Sequence, residues 1–399
     1  MELYDPHVRA TLRPSVEGLA GNTEIDAKTL AKFAAQYREP SGVRSLFELI
    51  VTIGAFTLLW VAMWASLHIG YWLTLLLAIP TAGFVVRVFM IQHDCGHGAF
   101  FRERSVNDWL GRALGIITLT PYDVWRRAHA LHHATNGNLD RRGIGDIDTV
   151  TVREYRARSR LGRLVYWLYR HPAVMFGFGP VYLFFLKHRL PFGMMRDGWR
   201  PWVSSLATNA AIALAITGMM ALVGTSQFLL IQLPIMLLAA SIGVWLFYVQ
   251  HQFETTFWTH EGKWNLQEAG LYGSSHYDLP GVLRWFTANI GIHHVHHLCS
   301  RIPYYRLPQV LRDHPHLVEI GRVTFIQSLR SVRLTLWDEA QGQLVSFRQA
   351  RGSKALCSAR LLQEKTRFFS PASMPSPVDP IEDIDHRERA LLEVPCAEP

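Results

Sequence analysis

Three histidine clusters hold the side chains of this chain that are best suited to bind metal. They read His-Asp-Cys-Gly-His, His-Ala-Leu-His-His and His-His-Val-His-His, and each stands close to a long apolar run. At spacings of three and four residues, the imidazoles of one cluster fall on one helix face, so each cluster can offer two or three nitrogens to a single point. The eight histidines on these faces are His93, His97, His129, His132, His133, His293, His296 and His297.

The number and type of these donors indicate a particular kind of metal centre. Neutral imidazole is the commonest protein ligand for iron, copper and zinc, and eight donors are too many for one tetrahedral site but suit two metal ions. Nitrogen ligands with open coordination positions favour redox-active iron, which can activate dioxygen to remove hydrogen from an unactivated carbon. Zinc does not perform that chemistry, so the clusters predict a dinuclear iron enzyme.

Further polar residues lie where they could support such a centre. His251 ends an apolar run, with Glu254 about one helical turn later, so we expect His251 to be a ninth ligand and Glu254 its carboxylate partner. His294 lies off the ligand face and is expected to be structural. The other candidates for contacts behind the ligands, each of which could equally be a helix cap or a loop residue, are Asp94, Asp146, Asp148, Asp278 and Asn289.

Four apolar runs predict transmembrane helices, at residues 46–68, 71–91, 203–223 and 228–250, and each is long enough to cross a hydrocarbon core of about 30 Å. Short turns join them into two hairpins, which leaves every histidine cluster on one side. Arg87, the one basic residue of the first hairpin, is expected to reach the lipid headgroups. The positive-inside rule then predicts that both termini and all clusters face the cytoplasm.

The predicted fold class is therefore an all-α membrane protein, with four transmembrane helices in two hairpins and a helical cytoplasmic cap that carries the histidine clusters. Hydrophobic residues make up 49% of the 399 residues, which favours membrane residence. Residues 1–45 are expected to form a cytoplasmic N-terminal segment and residues 46–340 the enzyme domain. Residues 341–399 are polar and are expected to form a disordered tail.

The net charge of +8 is spread over the polar segments rather than gathered into one stripe, which argues against nucleic acid as a partner and favours anionic membrane lipid. Arg126 and Arg127 could contact lipid phosphate or an acidic electron donor, or simply form a solvated face. A metal site at the membrane surface suits a lipid substrate, because the head group can stay in the interface while the chain enters the protein.

The three clusters resemble the histidine boxes of the integral-membrane fatty acid desaturases. The stretches Gln250–Glu254 and Asn289–His297 extend the resemblance, which covers about residues 45–340, to the bacterial and plastid-type omega-6 or delta-12 branch. It implies that the eight box histidines and His251 hold two irons. The implied reaction uses dioxygen and two electrons to convert an acyl methylene pair to a cis alkene, with the release of two waters. No His-Pro-Gly-Gly haem signature occurs, so the resemblance implies a separate electron donor, a ferredoxin or a small b-type cytochrome.

Two other functions remain open from the sequence. A hydroxylase, acetylenase or ketolase could use the same boxes, because a few cavity residues can decide between these reactions. A membrane metal transporter would instead place ligands near the bilayer midplane, whereas here the clusters lie outside nearly uncharged spans. The sequence also leaves open the double-bond position, the oligomeric state and the acyl carrier, which could be a glycerolipid, CoA or acyl carrier protein.

Overall fold

The computed structural model describes residues 26–143 and 145–352, which are mostly helical. The α-helices there are α1 (Ala27–Ala34), α2 (Gly42–Ser66), α3 (Tyr71–Gly96), α4 (Arg104–Ile117), α5 (Tyr122–Thr135), α6 (Val152–Ala157), α7 (Arg160–Tyr169), α8 (Gly179–Val181), α9 (Arg200–Val223), α10 (Thr225–His251), α11 (Leu266–Tyr272), α12 (Gly281–Phe286), α13 (His293–Leu298), α14 (Leu307–Asp313), α15 (Phe325–Ser331) and α16 (Phe347–Gly352). Short 3₁₀ or π segments lie at Ala35–Tyr37, Val174–Phe178, Tyr182–Leu186, Lys187–Arg189, Glu261–Lys263 and Pro315–Glu319.

Four of these helices, α2, α3, α9 and α10, are long and apolar enough to cross a membrane. They form two hairpins, α2 with α3 and α9 with α10. The second hairpin turns at Gly224, whose φ of +95° favours a residue without a side chain. Because each hairpin brings the chain back to the side on which it began, α3 and α10 end on the same side. The structure confirms the predicted all-α membrane fold.

Helix α3 is the central element of the membrane part. It packs against both α2 and α10. In the most apolar 18-residue stretch of α3, 61% of the residues are buried, whereas the corresponding stretch of α9 has 6% buried. The small side chains of Ala78 and Ala82 are fully buried on α3 and allow neighbouring backbones to approach closely. Helix α3 therefore holds its C-terminal end, where the first histidine cluster lies, in a fixed position, while α9 presents an apolar surface suited to lipid.

The cap consists of the short helices and two small sheets that the sequence did not predict. The strands are β1 (Val150–Thr151), β2 (His276–Asp278), β3 (Arg322–Thr324), β4 (Leu336–Asp338) and β5 (Gln343–Val345). Strand β4 pairs in parallel with β1 and antiparallel with β5, and β2 pairs in parallel with β3. Helices α1 and α11 pack against α13, so the third histidine cluster lies inside the cap.

The start of the predicted C-terminal tail differs from the structure. Strand β5 pairs with β4, its Leu344 and Val345 are buried, and α16 extends to Gly352. The hydrophobic pairs of a strand this short are too few to stand out in a polar sequence, which explains the early boundary. The predicted N-terminal segment likewise contains helix α1, one face of which is buried. The remaining parts of both predictions, residues 1–25 and 353–399, lie outside the described residues.

Candidate metal centre

Four helices bring the histidines together at the end of the membrane bundle. The first cluster lies at the end of α3, where His93 occupies the last turn and His97 is the C-terminal cap residue. The second cluster lies on α5 and the third on α13. His251 is the last residue of α10. Two membrane helices and two cap helices therefore supply all nine side chains.

The nine histidines form two groups, in each of which one nitrogen per ring lies within 4.8 Å of the others. The five-histidine group contains His93, His97, His129, His133 and His296, and the four-histidine group contains His132, His251, His293 and His297. On α5, His129 and His133 belong to the five-histidine group and His132 to the other. On α13, His293 and His297 belong to the four-histidine group and His296 to the other, because residues four apart share a helix face. Each cap helix therefore contributes to both groups.

The spacing of the ring nitrogens matches ligands around a metal ion. In the five-histidine group the Nε2 atoms of His97 and His133 lie 3.1 Å from that of His129. In the four-histidine group those of His132 and His293 lie 3.1 Å from that of His251. Two nitrogens at right angles around an ion, each at roughly 2.0–2.1 Å, are separated by about 3 Å. The distances between these nitrogens therefore match the edges of a coordination polyhedron around a metal ion.

Hydrogen bonding alone does not explain this arrangement. One Nε2 carries at most one proton in a neutral ring, so His129 cannot satisfy two neighbouring Nε2 atoms by donating to both. The Nε2 of His93 is buried and has no hydrogen-bond partner within the described part of the chain. A buried nitrogen without a partner is costly, and a metal ion would remove that cost. An all-nitrogen set of this size fits iron.

The surroundings keep five of the imidazoles on the cap helices neutral. Burial holds the pKa of His129, His133, His293, His296 and His297 well below its usual range, and the neighbouring histidines lower it further. A lowered pKa means that the rings are unprotonated at neutral pH, so that their lone pairs are available to a metal ion. Binding should weaken only as the pH falls far enough to protonate the rings.

Each group contains one histidine that is oriented by a carboxylate. In the five-histidine group, Oδ1 of Asp94 lies 3.3 Å from Nδ1 of His93. In the four-histidine group, Asp146 accepts a hydrogen bond from Nδ1 of His132. A proton held on Nδ1 leaves Nε2 as the donor toward the metal and fixes the orientation of the ring. The structure thus places two of the six predicted supporting residues beside histidines of the two groups.

The predicted contact between Glu254 and His251 is absent from the structure. Helix α10 ends at His251, and Gln252 adopts φ −115° and ψ 74°, so the helical spacing that would have brought Glu254 back does not continue. The Glu254 side chain is exposed. Nδ1 of His251 instead donates to the carbonyl of Gly273 at 3.2 Å. A backbone carbonyl therefore takes the orienting role that we expected of the carboxylate.

The other three supporting residues also have partners away from the ring nitrogens. The side chain of Asp148 is exposed, and its backbone carbonyl accepts a hydrogen bond from the hydroxyl of Tyr166 at 3.1 Å. Asp278, at the end of β2, forms an ion pair with Arg322 at 2.8 Å. Asn289 has φ +57° and donates to the carbonyl of Tyr304 at 3.2 Å. The loop and strand positions of these residues, rather than their chemistry, keep them from the histidine groups.

The remaining histidines of the prediction lie outside both groups. His294 is fully buried, and its Nε2 donates to the carbonyl of Leu317 at 2.9 Å, which is a structural contact with the neighbouring 3₁₀ segment. Four histidines outside the three clusters, none of which belongs to either group, are His68, His171, His188 and His260.

Arg87 is buried, contrary to the expectation that it reaches the headgroups. Its guanidinium forms an ion pair with Glu48 of α2 and donates to Thr52 at 3.1 Å. Glu48 also accepts a hydrogen bond from the hydroxyl of Tyr304 at 3.1 Å, while the backbone N–H of Tyr304 donates to Asp94 at 2.7 Å. This network connects the first hairpin to Asp94, the carboxylate beside His93. The signal in the sequence was Glu48, an acid inside the first apolar run opposite the only base.

Trp125 was also missed. Its ring stacks on that of His129 with 4.8 Å between centroids and 14° between planes, and it packs edge-on against Phe89 of α3. The stacking fixes the plane of the His129 ring. The spacing of four residues between Trp125 and His129 would have placed both on one face of α5, which was the available signal.

Comparison with known proteins agrees with the geometry. The family model for fatty acid desaturases matches residues 70–328. The chain belongs to the fatty acid desaturase family. It is 43% identical to a fatty acid desaturase of Bacillus subtilis over 80% of this chain and 91% of that protein. Two Synechocystis proteins are more distant. An sn-1 acyl-lipid omega-3 desaturase (ferredoxin) is 27% identical over 67% of this chain and 74% of that protein. An sn-1 oleoyl-lipid 12-desaturase is 24% identical over 70% of this chain and 77% of that protein.

Family membership decides several of the open points. The protein is an oxidoreductase of lipid metabolism, a membrane desaturase whose family depends on iron and acts on fatty acyl lipids. The transporter interpretation is set aside, because the chain matches an enzyme family over most of its length. Histidine clusters able to hold metal are what this chemistry requires.

Proposed function

We propose that the protein binds one iron ion in each histidine group and introduces a cis double bond at the delta-12 position of an oleoyl-type chain in an acyl lipid. The observation that carries the proposal is the convergence of nine imidazoles from four helices, with neighbouring nitrogens 3.1 Å apart in each group. Iron bound there would supply the activation of dioxygen that hydrogen removal from an unactivated carbon requires.

The residues of the chain would perform three tasks in this reaction. The box histidines and His251 offer their ring nitrogens, and burial keeps five of the rings on the cap helices unprotonated, those of His129, His133, His293, His296 and His297. Asp94 and Asp146 hold the proton of their histidines on Nδ1 and so keep Nε2 directed at the metal. Most of the nine histidines are buried, which limits the access of water to the centre and so the side reactions of activated oxygen. Each turnover consumes one dioxygen, two electrons and two protons and releases two waters.

The electrons would come from a separate ferredoxin or small b-type cytochrome that meets the protein at the cytoplasmic face of the inner membrane. The Synechocystis relative that is named as a ferredoxin-dependent enzyme supports a donor of this type. Arg126 and Arg127 are less available to such a donor than their charge suggests. Arg127 forms an ion pair with Asp197 at 3.0 Å, and the guanidinium of Arg126 lies 6.0 Å from the ring of Tyr122.

The delta-12 position is supported by the Synechocystis relative that is named as an sn-1 oleoyl-lipid 12-desaturase. A second candidate is the omega-3 position, which is favoured by a relative of similar identity with that name. The position depends on how far the acyl chain enters before a methylene pair meets the metal centre.

The test is product analysis in a host that makes monounsaturated but no polyunsaturated lipid. We expect gas chromatography with mass spectrometry to find a new delta-9,12 diene with the wild-type chain and none with His132→Ala. The matched control is His68→Ala, which removes an exposed histidine outside both groups and should leave the diene in place. A new double bond elsewhere would overturn the delta-12 assignment. A hydroxy or keto product without a diene would overturn desaturation itself.

A further inference from the structure

Arg170 follows helix α7 and is buried in the cap, with 3% of its surface exposed. Within residues 26–143 and 145–352, no carboxylate forms an ion pair with it. A buried cation is costly unless it is extensively hydrogen-bonded, because it has lost its hydration. The groups that its guanidinium contacts therefore indicate what this position does for the protein.

The first contacts of Arg170 are with the end of helix α10. Its Nη2 donates to the side-chain oxygen of Gln252 at 2.9 Å and lies 3.3 Å from the hydroxyl of Tyr248. The same Nη2 and the Tyr248 hydroxyl both donate to the carbonyl of Leu334, at 2.8 and 2.9 Å. Gln252 directly follows His251, and Tyr248 lies one turn before it. Arg170 therefore fixes the helix end that supplies the membrane-derived ligand of the four-histidine group.

The second contacts of Arg170 are with the loop that precedes β1. Its Nη1 donates to the carbonyl of Asp148 at 3.3 Å, and the hydroxyl of Tyr166 donates to the same carbonyl at 3.1 Å. The side-chain amide of Gln252 also donates to the hydroxyl of Thr149 in this loop, at 3.0 Å. The loop is thus tied to the end of α10 both through Arg170 and directly.

The two sets of contacts meet at the four-histidine group. The loop carries Asp146, whose carboxylate accepts the hydrogen bond from His132, and the end of α10 carries His251. The Nε2 atoms of these two histidines are 3.1 Å apart. Their separation depends on how the loop and the helix end are held relative to each other. Arg170 is the side chain that contacts both.

We propose that Arg170 is the positioning residue of the four-histidine metal site. It contacts no histidine of the group and acts through the Asp146 loop and the end of α10. The five-histidine group does not depend on it, because that group is oriented through Asp94, Tyr304 and the Glu48 network. This inference rests on the proposed function in one respect, namely that both histidine groups hold metal.

The test is the iron content of purified Arg170→Met, which keeps the length of the side chain but removes every donor. We expect the content to fall from two to about one iron per chain, because only the four-histidine site loses its support. Electron paramagnetic resonance of the oxidised protein should then show an isolated ferric ion in place of a coupled pair. The matched control is Arg156→Met, which removes a donor to the carbonyl of Ala350 in the cap and should retain both irons.

Arg170→Lys should give an intermediate loss, since one ammonium group cannot reach both the loop and the helix end. Folded Arg170→Met with two irons and wild-type spectra would overturn the proposal, as would equal loss of iron from both groups. If Arg170→Met does not fold, Tyr248→Phe removes only the hydroxyl beside the guanidinium. A chelator should then take one of the two irons faster than from the wild type, and equal rates would overturn the proposal.

The same samples separate this inference from the proposed function. A wild-type chain that holds two irons but makes no alkene would overturn the proposed reaction and leave the comparison of iron contents valid. A wild-type chain with only one iron would overturn both, because no second site would then need positioning.

Discussion

The five-histidine group and the four-histidine group are built from the same two cap helices but are held by different surroundings. The first lies at the end of the buried helix α3 and is connected through Asp94 and Tyr304 to a membrane ion pair, Glu48 with Arg87. The second lies between α10 and the cap. Hydrogen bonds to Arg170, which has no carboxylate partner in the described part of the chain, hold the end of α10 and the Asp146 loop beside it.

This difference shows how one centre can depend on two kinds of support. A charge pair buried between membrane helices is stable only while both partners are present, because either charge alone would be left without hydration. A set of hydrogen bonds to loop carbonyls depends instead on the packing of the cap. The two histidine groups should therefore respond differently to changes in the membrane part and in the cap.

Removal of a ligand from either group should have the largest effect. His296→Ala affects the five-histidine group and His293→Ala the four-histidine group, and each should reduce desaturation by more than about 100-fold, because a ligand matters at least as much as the residues that orient it. Each variant should also retain iron in the other group. Product yield and iron content per chain measure the two effects, and normal turnover in both variants would contradict the ligand assignment.

Breaking the membrane ion pair should have the next largest effect. Glu48→Leu leaves the buried Arg87 without its partner and should lower the free energy of unfolding by about 3–5 kcal/mol. Unfolding in mixed micelles measures the change. The double variant Glu48→Leu with Arg87→Leu should recover most of that stability, since no uncompensated charge remains.

The control for that experiment is an exposed ion pair. Arg102→Ala breaks a contact of 3.8 Å with Glu39 in which the side chains are 77% and 65% exposed, and it should change the stability by less than about 1 kcal/mol. If Glu48→Leu were as mild as this control, the membrane pair would not support the five-histidine group.

The two carboxylates give a sharper test of the comparison. Asp94→Asn and Asp146→Asn preserve shape but remove the charge that orients His93 and His132, and each should weaken iron binding in its own group by about 10- to 100-fold. Competition with a chelator measures the affinity of each group. Equal loss from both groups in either variant would show that the two sites are not supported separately.

The smallest effect on iron binding is expected for His294, which neighbours His293 but belongs to neither group. His294→Asn removes the hydrogen bond to the carbonyl of Leu317 and should cost about 1–3 kcal/mol of stability, while both irons and most of the desaturation remain. Thermal unfolding and iron content, compared with those of His293→Ala, check this. A complete loss of iron in His294→Asn would show that the third cluster presents a different face.

The sequence was sufficient to predict the membrane fold and the residues that converge. Long apolar runs identify membrane helices because the bilayer sets their length, and the spacing of three and four residues places histidines on one helix face regardless of what surrounds it. His251 could be included because it ends such a run. These predictions depend on the length of apolar runs and the spacing of histidines, both of which can be read from the sequence without knowledge of the tertiary structure.

The supporting contacts were harder to predict because they join distant parts of the chain. Tyr304 and Asp94 are 210 residues apart, and Arg170 and Gln252 are 82 residues apart. The prediction for Glu254 was wrong because it extended helical spacing past the end of α10. Arg87 was placed at the headgroups because its partner on the neighbouring helix was overlooked.

What the sequence determined by itself is therefore the set of nine imidazoles and the four helices that deliver them to one side of the membrane. Only the tertiary structure decided how they divide, with His132 and His296 each assigned to a different group from the other histidines of their cluster. The direction of each side chain is fixed by its own helix, but which rings meet depends on how α3, α5, α10 and α13 pack against one another. That packing is the sum of many contacts between residues far apart in the chain, and no local pattern records it.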